Sequence, residues 1–461
     1  MNMKILKIIM IIFLITVFIA STIPVIADFG IDVQVNDDAG EEGQTIGDEK
    51  TAVVVKENIV YAVWQDWRNV SDNLRPDIYF AKGLIDEKNN VTFDENVMVN
   101  NIAHSPLNDK PSAPAMAVGD DGTIYVVWTD MRNIDNQLEG VDVYFSRSID
   151  SGRSFEENQL IGSTTGGSGG ASIATVGNYV YIVYEHCCDP ANNVLNFVLS
   201  SDNGQSFSDL ETIFIPSEGK AGSGQPTIAS DGSNVYIAFQ LKTADDGNKV
   251  ALMKSNNYGA SFSDPIFIYD DEGSATQSDI SLAISEDNVY IAWHDVREPA
   301  GVYFSVSNDK GSTFPSTQLI VETGSSYPTP AISAYEDHIA ITYSGRHEGI
   351  YGFVVLTKIS HDAGITWSNE TIVADTDVSR SGIGPSAVSV NDKGVGVLWI
   401  DSRGTWDENV FFDWSTFDDI GEGNGSIDGD DETPTPKQPG FESVAVIISI
   451  CVAFLIYRKR K

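Results

Sequence analysis

Short apolar runs, each ending in an aromatic ring, recur along the chain: Val60–Trp64, Ile124–Trp128, Val180–Tyr184, Val235–Phe239, Val289–Trp293, Ile339–Tyr343 and Val395–Trp399. Trp64 and Trp399 are separated by 399 − 64 = 335 residues, so the seven copies repeat with a period of about 56. Each copy has the same internal order. A strand of small residues comes first, such as Pro226–Ser230 or Ser386–Val390, and a turn with Asp-Gly or Asn leads to the aromatic-ended strand. A polar loop precedes a third strand, such as Asp77–Phe80, Asp142–Phe145 or Val302–Ser305, and a Gly-containing turn precedes a fourth. Apolar runs of this length, rich in β-branched and aromatic residues and bounded by turn formers, read as strands. Four short strands per repeat predict a propeller blade. The reading is therefore an all-β, seven-bladed β-propeller over residues 28–417, with sustained helical periodicity only at the two ends of the chain. The last unit stops after its third strand, Val410–Trp414, while Ile31–Val35 is a spare strand near the start. That strand is predicted to complete the last blade, which closes the ring and removes two open sheet edges.

The turn between third and fourth strands carries the pattern S-x-D-x-G-x-[ST]-[FW]. It places Asp150 with Gly152, Asp202 with Gly204, Asp309 with Gly311 and Asp362 with Gly364, and a variant has Asn257 with Gly259. The first unit has only a degenerate version between Ala81 and Phe93. An Asp or Asn here accepts hydrogen bonds from its own turn, the Gly supplies a left-handed position, and the aromatic ring packs within the blades. The pattern resembles the Asp box, or BNR repeat, of sialidases and related propellers. The resemblance covers residues 50–417 and implies a structural role for these turns, on the rim away from the ligand face. Two features depart from the sialidases. They have six blades, and their Phe/Tyr-Arg-Ile-Pro motif is absent here.

Four units carry Trp-x-Asp-x-Arg after the second strand, ending at Arg68, Arg132, Arg297 and Arg403. Arginines converging on a carboxylate would be bidentate donors, and the resemblance implies such a triad, so these four are ligand-binding candidates. Against this, an asymmetric ligand does not need one triplet four times around a ring. A repeated ion pair, with Trp in the core, is the simpler use. Among the units that break the pattern are those at Tyr184-Glu185-His186 and at Tyr343 with Arg346, His347 and Glu348. The chemistry implied by the resemblance needs a Tyr activated by a Glu and a carboxyl acid/base. Tyr343, Arg346, Glu348 and Glu185 are therefore the catalytic candidates.

Charge narrows the choice of partner. Asp plus Glu number 66 against 28 Lys plus Arg, a net charge of −38, which excludes nucleic acid and disfavours anionic lipid. Three cysteines are too few for a disulfide scaffold. Cys187 and Cys188 are adjacent and form either a vicinal disulfide or two free thiols. No cofactor is required and no metal site is assigned. Calcium is a candidate at Asp245-Asp246 and Asp270-Asp271-Glu272, although no EF-hand spacing occurs.

The ends read as addresses. Lys4 and Lys7 precede an apolar run, Ile8–Ala20, and small residues to Ala27, giving a signal peptide over 1–27, with an uncleaved anchor as the alternative. Residues 418–438 are acidic and rich in Gly and Pro, an extended stalk. Residues 439–461 join Pro439-Gly440-Phe441 to a short apolar run and a basic tail, Arg458–Lys461. This order resembles the archaeal PGF-CTERM sorting signal, which implies removal of the helix by a sortase-like protease and replacement by a lipid. An ordinary membrane anchor would give the same location. Sequons at Asn69, Asn90, Asn369 and Asn424 fit an exported chain. The expectation is a monomer on an archaeal cell surface. It is either a non-catalytic module that binds glycan or protein with its channel face, the favoured reading, or an exo-acting glycoside hydrolase of sialidase type.

Overall fold

The computed structural model describes residues 29–37, 50–68, 76–100, 111–132, 141–162, 168–186, 194–214, 223–243, 247–268, 277–324, 328–347, 352–374, 386–401 and 408–420. The signal peptide, the stalk beyond Ile420, the sorting tail, Asn69, Asn424, Cys187, Cys188 and both acidic clusters lie outside these residues. Among the described residues no helix is long and apolar enough to cross a membrane.

The strands form seven antiparallel sheets, six with four strands and one with five. The fifth blade shows the plan, with Gln277–Ser285, Asn288–Asp295, Gly301–Ser307 and Thr317–Glu322 lying side by side in chain order. Second strands such as Ile124–Asp130 are buried along their whole length, because both faces are covered by neighbouring sheets. This is why the aromatic-ended runs are apolar without alternation. Trp64, Trp128, Trp293 and Trp399 end up with 0% exposure between blades.

Inner strands are made of small residues because adjacent ones approach closely around the axis. Their hydroxyls bond across the gap. Ser172, Ser281, Ser333 and Ser389 accept N–H bonds from Ile228 (3.2 Å), Ile332 (3.0 Å), Val390 (2.9 Å) and Val55 (2.8 Å), each on the next blade. The last of these runs from the seventh blade to the first, so the ring is closed.

The spare strand completes the seventh blade. Val33–Gln34 pairs antiparallel with Phe411 and Phe412 at the outer edge of that sheet. Asn36 extends the pairing by accepting from Val410 N at 2.9 Å. The next residue crosses to the first blade, where Asp37 and Asn96 exchange two hydrogen bonds of 2.9 Å and Arg68 Nη1 donates to Asp37 at 2.6 Å. The first blade also departs from the plan. Two short strands, Val91–Phe93 and Val97–Met98, both pair with its long third strand, Asp77–Ile85. Its hairpin lacks the repeated turn and is held instead by Asp86, which accepts from Lys88 N, Asn90 N and Asn90 Nδ2 at 2.8–2.9 Å.

The other turns share one network. In the third blade Ser200 Oγ donates to Asp202 (2.7 Å) and accepts from Gly204 N (2.8 Å), while Ser206 donates to Asp202 from N (2.9 Å) and Oγ (2.6 Å). Two consecutive residues are left-handed, Asn203 (φ 59) and Gly204 (φ 73), and the same pair recurs in the other four turns. The closing aromatic then lies edge-on to a ring of the preceding blade. Phe155 meets Phe80 at 5.4 Å, Phe207 meets Phe145 at 4.9 Å, Phe262 meets Phe197 at 5.0 Å and Trp367 meets Phe304 at 5.1 Å. The fourth blade offers Leu252 in place of the Phe, and Phe314 packs on that cluster.

Two predictions follow from these turns. A Cβ at Gly204 would stand 2.9 Å from Phe145 Cζ, on a backbone that disfavours L-residues. Gly204→Ala should therefore cost about 2–4 kcal/mol, summing the left-handed penalty and overpacking, as read by chemical denaturation. Hydrogen bonds from Ser154, Ser206 and Ser307 hold Asp150, Asp202 and Asp309 down at about 2. Because the folded values are depressed, these carboxylates stabilise the fold above the ordinary Asp range, near 3.9, and that contribution is lost as pH falls toward about 2. Melting temperature should drop across that window. Asp202→Asn should flatten part of the drop while still folding, since Asn257 already fills the role by accepting from Ser261 N at 3.1 Å.

Candidate functional site

The inner strands of all seven blades line a central channel of about 720 Å³. Cross-strand register aligns the blades. Ala52, Ala115, Ser172, Ser281 and Ala331 each pair with the residue just before an aromatic strand end. The residues two positions earlier, Lys50, Ala113, Gly170, Asp279 and Thr329, thus share one level of the lumen, and all five line it. Four of them are left-handed, with φ of 48 at Ala113, 38 at Gly170, 51 at Asp279 and 41 at Thr329. The pairing shifts register here at Ser112/Ala115, Gly169/Ala171 and Ser278/Ser281, so the inner strands bulge at this level and turn their backbone toward the axis. A left-handed β-branched residue such as Thr329 costs roughly 1–3 kcal/mol, a cost borne where the channel opens.

Charge at this level is confined to two of these five side chains. Asp279, on the fifth blade, accepts from Ser278 Oγ at 2.8 Å, and its carboxylate lies 3.9 Å from His294 Nδ1. His294 is 2% exposed, and burial lowers its pKa while the Asp279 and Asp295 carboxylates push back. Lys50, on the first blade, is open to the lumen yet surrounded by protein. That desolvation holds its ammonium below the ordinary lysine range, opposed by the field of Asp279 and tempered by solvent in the lumen. Among the described residues no hydrogen bond or ion pair reaches Lys50. The nearest atom to a Cβ placed on Gly170 is Lys50 Nζ, at 3.9 Å.

The arginine candidates stand elsewhere. In the fifth blade Asp295 accepts from Trp293 Nε1 (3.2 Å), Arg297 N (2.9 Å) and Arg297 Nε (2.7 Å). The guanidinium then lies over the Tyr303 ring at 4.7 Å. The second blade repeats this with Asp130, Trp128, Arg132 and Tyr144, and the first with Asp66, Trp64, Arg68 and Tyr79. Each triplet thus fastens the loop to the third strand, and Arg68 and Arg132 also reach outside it, to Asp37 and Asn96 and to Asn158. Arg68, Arg132 and Arg297 do not line the channel. Arg403 lies outside the described residues.

Of the catalytic candidates, Tyr343 is 1% exposed in the core between blades, and its hydroxyl donates to Glu370 Oε2 at 2.5 Å. Burial first, and Glu370 second, push its phenol far above the ordinary range. Arg346 lies over the Phe353 ring at 5.2 Å, and Glu348 is outside the described residues. Glu185 is buried next to Tyr184, whose phenol burial pushes up to about 12. It holds the position in the third blade that His294 holds in the fifth, just past the aromatic strand end. Sequence reasoning missed Lys50, Asp279, His294 and Glu370. The first three were available by aligning the repeats on their aromatic ends and reading the columns for charge. Glu370 follows its repeated turn closely and carried no such signal.

No protein-family model and no curated protein matches the chain. Solved structures do resemble it. One is a polysaccharide lyase, an ulvan lyase bound to -[GlcA(1-4)Rha3S]-, which is 14% identical, covers 84% of this chain and 98% of its own, and has a TM-score of 0.54. A Dyadobacter fermentans protein of unknown function is 13% identical over 74% of this chain and 100% of its own, with a TM-score of 0.50. A Hadza microbial sialidase is 13% identical over 73% of each chain, with a TM-score of 0.47. At these identities the likeness is one of fold.

The triplets are open to test. Asp295 is 0% exposed and is the shared acceptor for Trp293 and Arg297. Asp295→Ala strands a half-buried guanidinium and should cost about 3–5 kcal/mol, measured by denaturant unfolding. Arg346→Ala removes a stacking contact and should cost under about 1 kcal/mol.

Proposed function

We propose that this propeller is a cell-surface module that binds a glycan or a protein segment on its channel face without turning it over. The observation that carries the reading is the fate of the arginines. Three of the four candidates spend their guanidinium on an aspartate and a tyrosine of their own blade, and the described residues that line the lumen include no arginine of the converging bidentate kind a carboxylate-directed hydrolase would use. Fold neighbours that act on polysaccharide support a glycan as ligand, among them the ulvan lyase. The net charge of −38 favours neutral or cationic partners over long polyanions. A signal peptide would export the ring, a sorting tail would hold it outside the cell on an acidic stalk, and calcium would serve the acidic loops.

A second reading, exo-acting hydrolysis, draws on the short Tyr343–Glu370 pair, a phenol with a carboxylate beside it. Its weakness is access, because the phenol is sealed between blades.

The purified full-length chain on a glycan array and with a panel of fluorogenic glycosides, sialosides included, separates the two. Binding without turnover is expected. Turnover that Tyr343→Phe abolishes, with the melting profile intact, would establish the hydrolase instead.

A further inference from the structure

We propose that His338 and His361 form a two-imidazole chelate for a divalent transition-metal ion, Cu²⁺ ahead of its neighbours, on the rim of the sixth blade where the repeated turns lie. The site draws on nothing in the channel, so it goes beyond the glycan or protein reading.

Comparison of the repeats sets these two histidines apart. Strand pairing puts Ile339 opposite Ser360 in the sixth blade, as it puts Ile124 opposite Ser148, Val180 opposite Ser200, Val235 opposite Ser255 and Val289 opposite Ser307 in the second to fifth. The residue before the first member and the residue after the second are therefore neighbours at one end of each blade. In the second to fifth blades they are Thr123 with Ile149, Tyr179 with Ser201, Asn234 with Asn256 and Asn288 with Asn308. In the sixth both are histidine, which spends two of the chain's six histidines on one contact. Their Nδ1 atoms are 2.8 Å apart, and both residues are half-buried, so solvent reaches the pair. Carboxylates crowd the chain around them. Asp337 precedes His338, Asp362 follows His361, and Asp418 and Asp419 follow Phe417, which packs on both rings. Lys393 is the cation on the adjoining hairpin. With a net charge of −38, this rim concentrates cations.

The separation selects the ion. With metal–nitrogen bonds of about 2.0 Å, cis ligands on a square-planar or tetragonal ion stand about 2.8 Å apart, whereas tetrahedral ligands stand about 3.3 Å apart. The observed spacing fits the first geometry, which Cu²⁺ prefers, and Cu²⁺ also leads Ni²⁺ and Zn²⁺ in affinity for nitrogen ligands. The two rings are inclined at 80°, so an ion on the line where their planes meet lies in the plane of both, as ligation by imidazole requires. Phe417 stacks on the face of His338 with centroids 4.1 Å apart, and its own N–H donates to Lys393 O at 3.1 Å. This orients the ring and leaves its edge for the ion. Without metal, one proton lies between the two Nδ1 atoms. On metal binding it moves through solvent to the other nitrogen of the donor ring, both imidazoles stay neutral, and both Nδ1 lone pairs turn to the ion. Among the described residues no group of three or more His, Cys, Asp or Glu forms a metal cluster, so water fills the remaining positions.

The test is electron spin-echo spectroscopy of the full-length chain with one equivalent of Cu²⁺ in excess Mg²⁺, alongside calorimetric titration with Cu²⁺, Ni²⁺ and Zn²⁺ in the same buffer. Mg²⁺ occupies carboxylate clusters and leaves imidazole to the softer ions. The echo should be modulated by two imidazoles. His338→Asn and His361→Asn install the side chain that the fourth and fifth blades already hold at these positions, so melting curves should be unchanged. Each should leave one coupled imidazole and weaken Cu²⁺ binding about tenfold or more. Ni²⁺ and Zn²⁺ should bind more weakly than Cu²⁺, and acid should release the ion as the imidazoles protonate. Modulation by fewer than two imidazoles in the unsubstituted chain, or Cu²⁺ affinity unchanged in either variant, would overturn the chelate. Zn²⁺ binding at least as tight as Cu²⁺ would overturn the choice of ion. If one variant unfolds, the other and the unsubstituted spectrum decide. None of these outcomes touches glycan binding on the array, so the two readings fail separately.

Discussion

The ring depends on how one blade meets the next. An aromatic side chain that closes a turn lies edge-on against an aromatic of the blade before it, and two left-handed residues bring the turn down onto that ring. The contact is geometric before it is hydrophobic. A side chain at the glycine would collide with the neighbour, so the blade spacing is set by the absence of a Cβ. Closer to the axis, serine hydroxyls stitch the inner strands at intervals. Between these two layers lie the indoles, fully enclosed. A toroid held at inner and outer radii has little freedom to shear, and that rigidity is what gives the channel a fixed wall.

The repeating architecture was legible because it is written seven times. Aromatic strand ends, small inner strands and the S-x-D-x-G turns each recur at a period that only a circular or linear array explains. The completion of the last blade by an early strand was also legible, because the last unit ends one strand short and an unassigned strand stands at the other end of the repeats. Detail inside single copies was harder. The split outer edge of the first blade arises from Asp86 and Asn90 organising a local hairpin, and no repeat predicts it. The left-handed residue before each turn glycine was missed as well, because Ser, Asn, Tyr, Lys and Ala occupy that position and share no chemistry.

The site was less legible than the fold for a related reason. Repetition advertises structure, whereas binding chemistry is local. The Trp-x-Asp-x-Arg triplets drew attention by recurring, and in the described blades they hold loops to third strands. The lumen charges do not recur. Lys50 lies beside an acidic stretch and Asp279 in an unremarkable polar run, and only cross-strand register puts them on one level. Tyr343 shows the converse problem. It stands where a repeat breaks, yet its ring fills the same interior position as the tryptophans of other blades, and Glu370 satisfies a hydroxyl that those indoles do not have.

The pairing of Val33–Gln34 with Phe411 and Phe412 sets the order of events during synthesis. The partner edge does not exist until almost the entire chain has been made, so the earliest strand must wait while six blades assemble between its place and its destination. Until then the growing protein carries a bare strand edge at its newest end, the kind of surface that chaperones and proteases read. Loop-closure entropy rises only slowly with length, so the delay costs little stability in the finished molecule. It falls on kinetics instead, and completion of the ring becomes a natural checkpoint that distinguishes a full-length product from a truncated one.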